Sequence, residues 1–322
     1  MEKIISNFNK QFEYEPKIEG KFSLKGIKNF IVVGMGGSHL AADILNCYDP
    51  SFNIIIHKNY ALPLLSDEIF KKSLIILNSY SGNTEEVISA FNLALEKKLK
   101  TVSISVNGKL LELSKENNIP FVKLPEPPIP PRLALGFQVK ALLKIMNKEK
   151  EFEEINKLSY LLKSEEFKEQ GRELAQKIKD KIPLIYASEK NQAIAYNFKI
   201  KFNETSKIPA FYNVFPELNH NEMEGFDLKE SLRHLSQNFI FLILFDEKDH
   251  PKIKKRMMIL KSLYEKRNLE VEILKLEGKN KFHKIFSSLV LADWTSFYLA
   301  QEYGVDPIEV SMIEEFKKLM EK

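Results

Sequence analysis

The stretch KSLIILNSYSGNTEEVISAFNLA, Lys72–Ala94, joins a strand, a turn and a helix in one short span. Lys72–Leu77 is an apolar run of the length and composition of a buried strand, and Glu85–Ala94 carries helical spacing. Between them lie three hydroxyls, Ser79, Ser81 and Thr84, with Gly82 to let the backbone turn closely. Such a turn can present backbone N–H groups and hydroxyls to an anion at the helix N-terminus. The loop has no lysine and no G-x-x-x-x-G-K pattern, so it is not a nucleotide P-loop. A serine or threonine followed by glutamate is also an ordinary helix cap. Spacing leaves both readings open.

Working outward, the same alternation surrounds this stretch. Lys28–Val33 reads as a continuous apolar strand, the pattern of a parallel sheet covered on both faces. It runs into Gly34-Met35-Gly36-Gly37-Ser38 and a helix at 39–45. The glycine pattern lacks the third glycine of a dinucleotide fingerprint and is weak alone. Strands are expected at 52–56, 73–77, 101–106 and 120–124, with helices at 84–97 and 109–117. Residues 1–27 read as a helix and an irregular approach. The fold class is α/β: a doubly wound, parallel, five-stranded or nearly five-stranded unit, with two small-residue loops at strand carboxyl ends, where open sheets bind ligands.

A proline segment, Pro125–Pro131, leads directly to Arg132. Proline fixes the backbone and is tolerated at a helix start, so Arg132 is held in a defined place; a rigid linker with an exposed arginine is the plainer alternative. A polar helix over 150–181 is expected to bridge two domains, 1–150 and 151–322. The second repeats the element order of the first, with strands at 182–187, 238–245 and 269–276 and helices at 191–204, 251–266 and 281–303. Its strand at Phe245 ends in Asp246-Glu247-Lys248-Asp249, and carboxylates there would repel a phosphate. If the halves are duplicates, only the first kept an anion site. A long connection between the second domain's first helix and second strand holds Glu204 and His220, and long loops in compact units are usually functional. A proline-interrupted helix closes the chain.

Composition narrows the classes. At 322 residues, two domains are the natural division, each large enough for its own core. The net charge of +4 is small, and there is no basic stretch interleaved with aromatics, so no nucleic-acid partner is expected. The longest apolar run, Phe239–Phe245, is too short to cross a bilayer, so no membrane association is expected. The lone Cys47 and the charged N-terminus suit the cytoplasm. The six histidines lack metal-ligand spacing, and no G-x-S-x-G elbow is present. Neither a metal nor a cofactor is expected.

Taken together, the motifs are more specific than any one of them. Gly34–Ser38 with Asn78–Glu85 resembles the sugar isomerase (SIS) domain, which binds phosphosugars. Adding Pro130-Pro131-Arg132, Lys201–Glu204, Pro216–Glu222 and the tail through Lys317, the whole chain resembles the bifunctional phosphoglucose/phosphomannose isomerase family. That resemblance implies two SIS domains, a phosphosugar substrate, no metal, and a homodimer with its active site at the subunit interface. It implies a phosphate cradle of Gly37, Ser38, Ser79, Ser81 and Thr84. It also implies Arg132 beside the reacting carbons, Glu204 as the catalytic base, and His220 opening the sugar ring from the partner subunit. Lys317 is the matching C-terminal lysine, with Lys318 one residue away. The residue types suit the chemistry, because one carboxylate can carry a proton between C2 and C1 and an arginine can hold the developing enediolate charge.

Overall fold

The computed structural model describes residues 1–126 and 129–320. Pro127 and Pro128, the middle of the expected stiff proline segment, lie outside the described residues. The chain divides into two compact units, Asn7–Leu162 and Met1–Ser6 with Lys163–Lys322.

The Asn7–Leu162 unit is built on strands β1 Ile18–Glu19, β2 Asn29–Val33, β3 Ile54–His57, β4 Ser73–Asn78, β5 Thr101–Ser105 and β6 Phe121–Lys123. Its main helices are α1 Gly37–Tyr48, α2 Glu85–Glu96, α3 Lys109–Glu116 and α4 Leu135–Ile145. The sheet order is β1-β6-β5-β4-β2-β3. Every pair is parallel except β1 with β6. The expected parallel strands are present, and the two-residue antiparallel β1 adds an edge that residues 1–27 do not announce. All six residues of β4 are buried, which explains its unbroken apolar pattern. Val87, Ala90, Phe91 and Ala94 of α2 recur at helical spacing and are buried, Val87, Ala90 and Phe91 in one cluster with Ile75 and Leu77 of β4. Each large side chain so buried contributes about 1.5–3 kcal/mol.

Strand order reverses between β2 and β4: from β2 the chain goes to β3 on one side and to β4 on the other. A crevice at the carboxyl ends of two such strands is where doubly wound sheets bind ligands. The 34–37 and 79–84 loops both leave from it.

The second unit has α5 Lys168–Ile178, β7 Ile182–Ser188, α6 Gln192–Lys201, β8 Phe211–Phe215, β9 Phe239–Phe245, α7 Pro251–Glu265, β10 Glu270–Lys275, α8 Lys281–Glu302 and α9 Ser311–Met320. Its four strands run parallel in the order β10-β9-β7-β8, so its reversal lies between β7 and β9. Among the described residues it has four strands where a sheet of about five is expected, while the first unit has six. The expected long connection contains β8, a half-exposed edge strand interrupted by Asn213, which hides its period. The single bridging helix is instead a series of short pieces, Glu149–Asn156, Leu158–Leu161, Ser164–Phe167 and α5. Ser164 Oγ donates to the Ile5 carbonyl at 2.6 Å and Lys168 pairs with Glu2 at 2.8 Å, which ties the first residues to this unit. Among the described residues no helix is long and apolar enough to cross a membrane.

Candidate active site

The first unit gathers six of the expected residues around the β2–β4 crevice. Gly37 opens α1 and has to be a glycine. A Cβ there would lie 2.7 Å from the Pro131 carbonyl carbon and 2.9 Å from the Arg132 nitrogen, so its absence lets α1 start against the turn that carries Arg132. Gly82 is held as firmly, with φ of +75° and a Cβ position 1.7 Å from the Asn107 carbonyl oxygen.

Serine hydroxyls shape the loops. Ser38 Oγ accepts the Tyr80 N–H at 3.0 Å, and Ser79 Oγ accepts the Gly82 N–H at 3.1 Å. Ser79 and Thr84 hydroxyls lie 2.7 Å apart. Ser81 is exposed and accepts the Asn83 N–H at 3.2 Å. A serine oxygen that accepts a backbone N–H still has its own proton to donate, so the same contacts that set the loop leave donors for an anion. The expected Thr84 position is indeed the cap of α2, although its side chain makes no capping bond to that helix.

Arg132 is 3% exposed in the one-turn segment Pro131–Leu133. Sequence reasoning missed the buried amides that connect this turn to the loops. Asn78 Nδ2 donates to the Ser38 carbonyl at 2.6 Å and to Gln138 Oε1 at 3.1 Å. Gln138 Nε2 reaches the Pro131 carbonyl at 3.4 Å, a weak bond, and Gln11 donates to the Leu133 carbonyl at 2.7 Å. The available signal was a lone amide on otherwise apolar elements: Asn78 ends β4, and Gln138 interrupts the apolar face of α4. Asn78 and Gln138 are wholly buried and so are high-stakes groups, costly unless bonded.

The remaining three residues belong to the second unit, on three separate elements. Glu204 is half-buried in a wider π-type turn, Phe202–Ser206, which continues α6 and ends at Lys207 in the left-handed region, φ 60°. The expected helix over 191–204 therefore changes pitch at Phe202, and such π turns often sit at functional sites. Both ends of the turn are tied to α8: Lys201 forms a buried ion pair with Asp293, and Ser206 Oγ donates to the Ser296 carbonyl at 2.8 Å. His220 ends the short turn Glu217–His220 and is exposed. That turn is anchored on both sides. Leu218 is buried in the core, and Glu222 accepts from Tyr186 Oη and Asn213 Nδ2, each at 2.5 Å. Burial above all, with Tyr264 and the Glu222 carboxylate adding to it, pushes the Tyr186 hydroxyl far above its ordinary range, so it serves Glu222 as a donor only. Lys317 lies exposed on α9, 2.7 Å from Glu314, and Lys318 is its exposed neighbour.

The β7–β9 crevice of the second unit has different chemistry. Asp246 and Asp249 are buried there; Asp246 pairs with Lys284, and Asn191 Nδ2 donates to Asp246 at 3.2 Å and to Asp249 at 3.3 Å. Burial works to raise the Asp246 pKa, but the Lys284 bond and the Lys248 N–H outweigh it and hold it below the ordinary value. Asp249 goes the other way: burial, joined by the charge of Asp246, raises it against the bond from Ser188. Among the described residues no group of three or more histidine, cysteine, aspartate or glutamate side chains is placed to hold a metal ion.

Comparison with known proteins adds family context. Residues 167–320 match the family model described as the bacterial phospho-glucose isomerase C-terminal SIS domain. The chain is 35% identical over 324 aligned residues to the bifunctional phosphoglucose/phosphomannose isomerase of Aquifex aeolicus, covering 99% of this chain and 98% of that one. It is 32% identical to the protein of the same name from Caldicellulosiruptor bescii, covering 96% and 94%. In three dimensions it is similar to the C-terminal domain of glucosamine-fructose-6-phosphate aminotransferase from Francisella tularensis. The TM-score is 0.66 at 14% identity, over 96% of each chain, a likeness of fold.

Proposed function

The chain belongs to the family of bifunctional phosphoglucose/phosphomannose isomerases, and on that premise we propose that it interconverts glucose 6-phosphate, and also mannose 6-phosphate, with fructose 6-phosphate. It is an isomerase, moving one proton between C2 and C1 of an open-chain sugar through a cis-enediol. The observation that carries this reading is the gathering of Ser38, Ser79 and Thr84 around the same switch point as the buried Arg132.

In this mechanism the hydroxyls of Ser38, Ser79, Ser81 and Thr84 and the N–H groups after Gly37 hold the phosphate, the end of the sugar that does not react. Binding there fixes C1 and C2 for the base, so remote binding energy is used for positioning. His220 of the partner subunit opens the ring with help from Lys317, which the match of Ile313-x-x-Phe316-Lys317 to the family's tail favours over Lys318. Glu204 removes the proton and returns it to the adjacent carbon; a positioned base contributes roughly 10²–10⁴-fold. Arg132 faces the enediolate charge, and being held in place it needs no reorganisation as that charge develops. The two aldoses differ only at C2 and share one enediol, so the second substrate needs room about C2–C3 and no second base.

The same proposal divides the labour by region: residues 1–150 hold the phosphate and Arg132, and residues 151–322 supply Glu204, His220 and Lys317. It includes a homodimer and, from the lone Cys47, a cytoplasmic setting. A coupled assay with both aldose phosphates tests it. Wild-type protein is expected to turn over both, and Glu204→Gln to lose at least ~10²-fold in kcat while still binding fructose 6-phosphate. Full turnover in Glu204→Gln would sink the assignment of the base.

A further inference from the structure

The last helix among the described residues, α9, has an apolar face that no described residue of its own chain covers. Met312, Ile313, Phe316, Leu319 and Met320 fall on one stripe at helical spacing and are 83, 42, 62, 58 and 54% exposed. On the same unit, α7 and the turn after His220 enclose a groove of about 460 Å³. Its floor is Met223, Ile259, Leu260 and Leu263, and its rim is Lys252, Lys255 and Arg256. Two large uncovered apolar surfaces on one soluble chain mark an interaction site.

We propose that α9 of one copy of this chain seats its apolar stripe in the α7 groove of a second copy. Because each copy carries both the helix and the groove, a two-fold axis makes the contact twice and closes the dimer. The dimensions are compatible: at about 1.5 Å per residue the ten residues of α9 span about 15 Å, and the twelve from Lys252 to Leu263 along the groove wall span about 18 Å, so the helix fits within the wall. The charges agree too. Glu309, Glu314 and Glu315 lie before or in the first half of α9, and the groove's basic residues cluster toward the first turns of α7. Laid parallel, α9 puts its acidic half at the basic end.

The inference rests on the homodimer in the proposed function and deepens it. Asn219, on the groove wall, accepts from Arg256 at 3.3 Å and immediately precedes His220. A seated α9 therefore brings Lys317 of one copy to the partner subunit's His220. Lys317 borders the apolar stripe, four residues after Ile313 and three before Met320, whereas Lys318 falls among Glu314 and Glu315 on the polar face.

Sedimentation velocity on the full chain tests the contact through Phe316→Asp and Ile259→Asp, at sites 62% and 48% exposed, where circular dichroism should report an unchanged fold. A central apolar anchor lost from an interface raises the dissociation constant about 30-fold, so with two copies of the contact each variant should weaken the dimer by ~10³-fold. Mixing the two variants rebuilds one intact contact between an unaltered helix and an unaltered groove. The mixture should therefore dimerise more tightly than either variant alone. Three results would overturn the proposal: a monomeric wild type, an unchanged dissociation constant in the variants, or weakening with no rescue on mixing, which would mean α9 docks in its own chain. The readout is mass, so these outcomes are independent of whether Glu204→Gln still turns over.

Discussion

The β2–β4 crevice and the β7–β9 crevice are the same place in two sheets of the same winding, and their residues serve opposite ends. The first is lined by Ser38, Ser79 and Thr84. The Ser38 and Ser79 oxygens accept loop N–H groups, and the Ser79–Thr84 hydroxyl pair uses one proton between them, which leaves the Ser38 proton and one of that pair to donate. The second is filled from within: Asp246 and Asp249 take up Lys284 and the Asn191 amide. A phosphate would gain hydroxyl donors in the first and meet buried carboxylates in the second. Topology alone makes both crevices eligible. The side chains at the strand ends decide between them.

The largest effect expected from breaking this contrast is on stability. Lys284→Met leaves Asp246 buried without its main partner, and removing one member of a buried pair costs roughly 3–5 kcal/mol. The low end is expected here because Asn191 remains and Lys190 Nζ is 3.6 Å away. Chemical denaturation should show that loss, and a change under 1 kcal/mol would mean that the pair does not hold the second crevice together.

Next in size is Ser79→Ala, which strikes the first crevice and leaves the second alone. Losing one donor to a charged group, about 1.5 kcal/mol, should raise KM for a sugar phosphate ~10-fold with kcat within a few-fold. An equal loss in kcat would move Ser79 from anchoring to chemistry.

The smallest effect is a pH dependence peculiar to the second crevice, where the two aspartates have opposite signs. Asp246 is held below 3.8, so its contribution is full above that pH and is lost as pH falls through its lower folded pKa. Asp249 is raised above 3.8, so its folded carboxyl takes a proton first and stability rises as pH falls through that value toward 3.8. Asp249→Asn should abolish that rise and leave the loss at lower pH, as thermal unfolding across pH 7 to 3 would show.

How much of this contrast is legible in the chain depends on burial. Parallel strands covered on both faces are unbroken apolar runs, so β2, β4 and β9 announce themselves. The half-exposed β8 and the two-residue β1 do not, because neither keeps a period long enough to read. The carboxylates at 246 and 249 can be read as hostile to phosphate. Their neutralisation cannot, since Lys284 comes from a helix 38 residues further along. The hydroxyl loop was readable as an anion cradle or a cap, whereas its tie to Arg132 through Asn78 and Gln138 depends on packing between β4 and α4. Glu204 is a residue of the same kind: only the fold shows that it sits on a π turn clamped to α8.

Calorimetric titration of fructose 6-phosphate into Glu204→Gln protein tests the central claim most directly, because binding is then read without turnover. The account predicts one site per chain, abolished or weakened at least ~10²-fold by adding Ser38→Ala and Ser79→Ala, and unchanged by adding Asp249→Asn. Two sites per chain, or a single site that survives the serine changes and responds to Asp249→Asn, would contradict it.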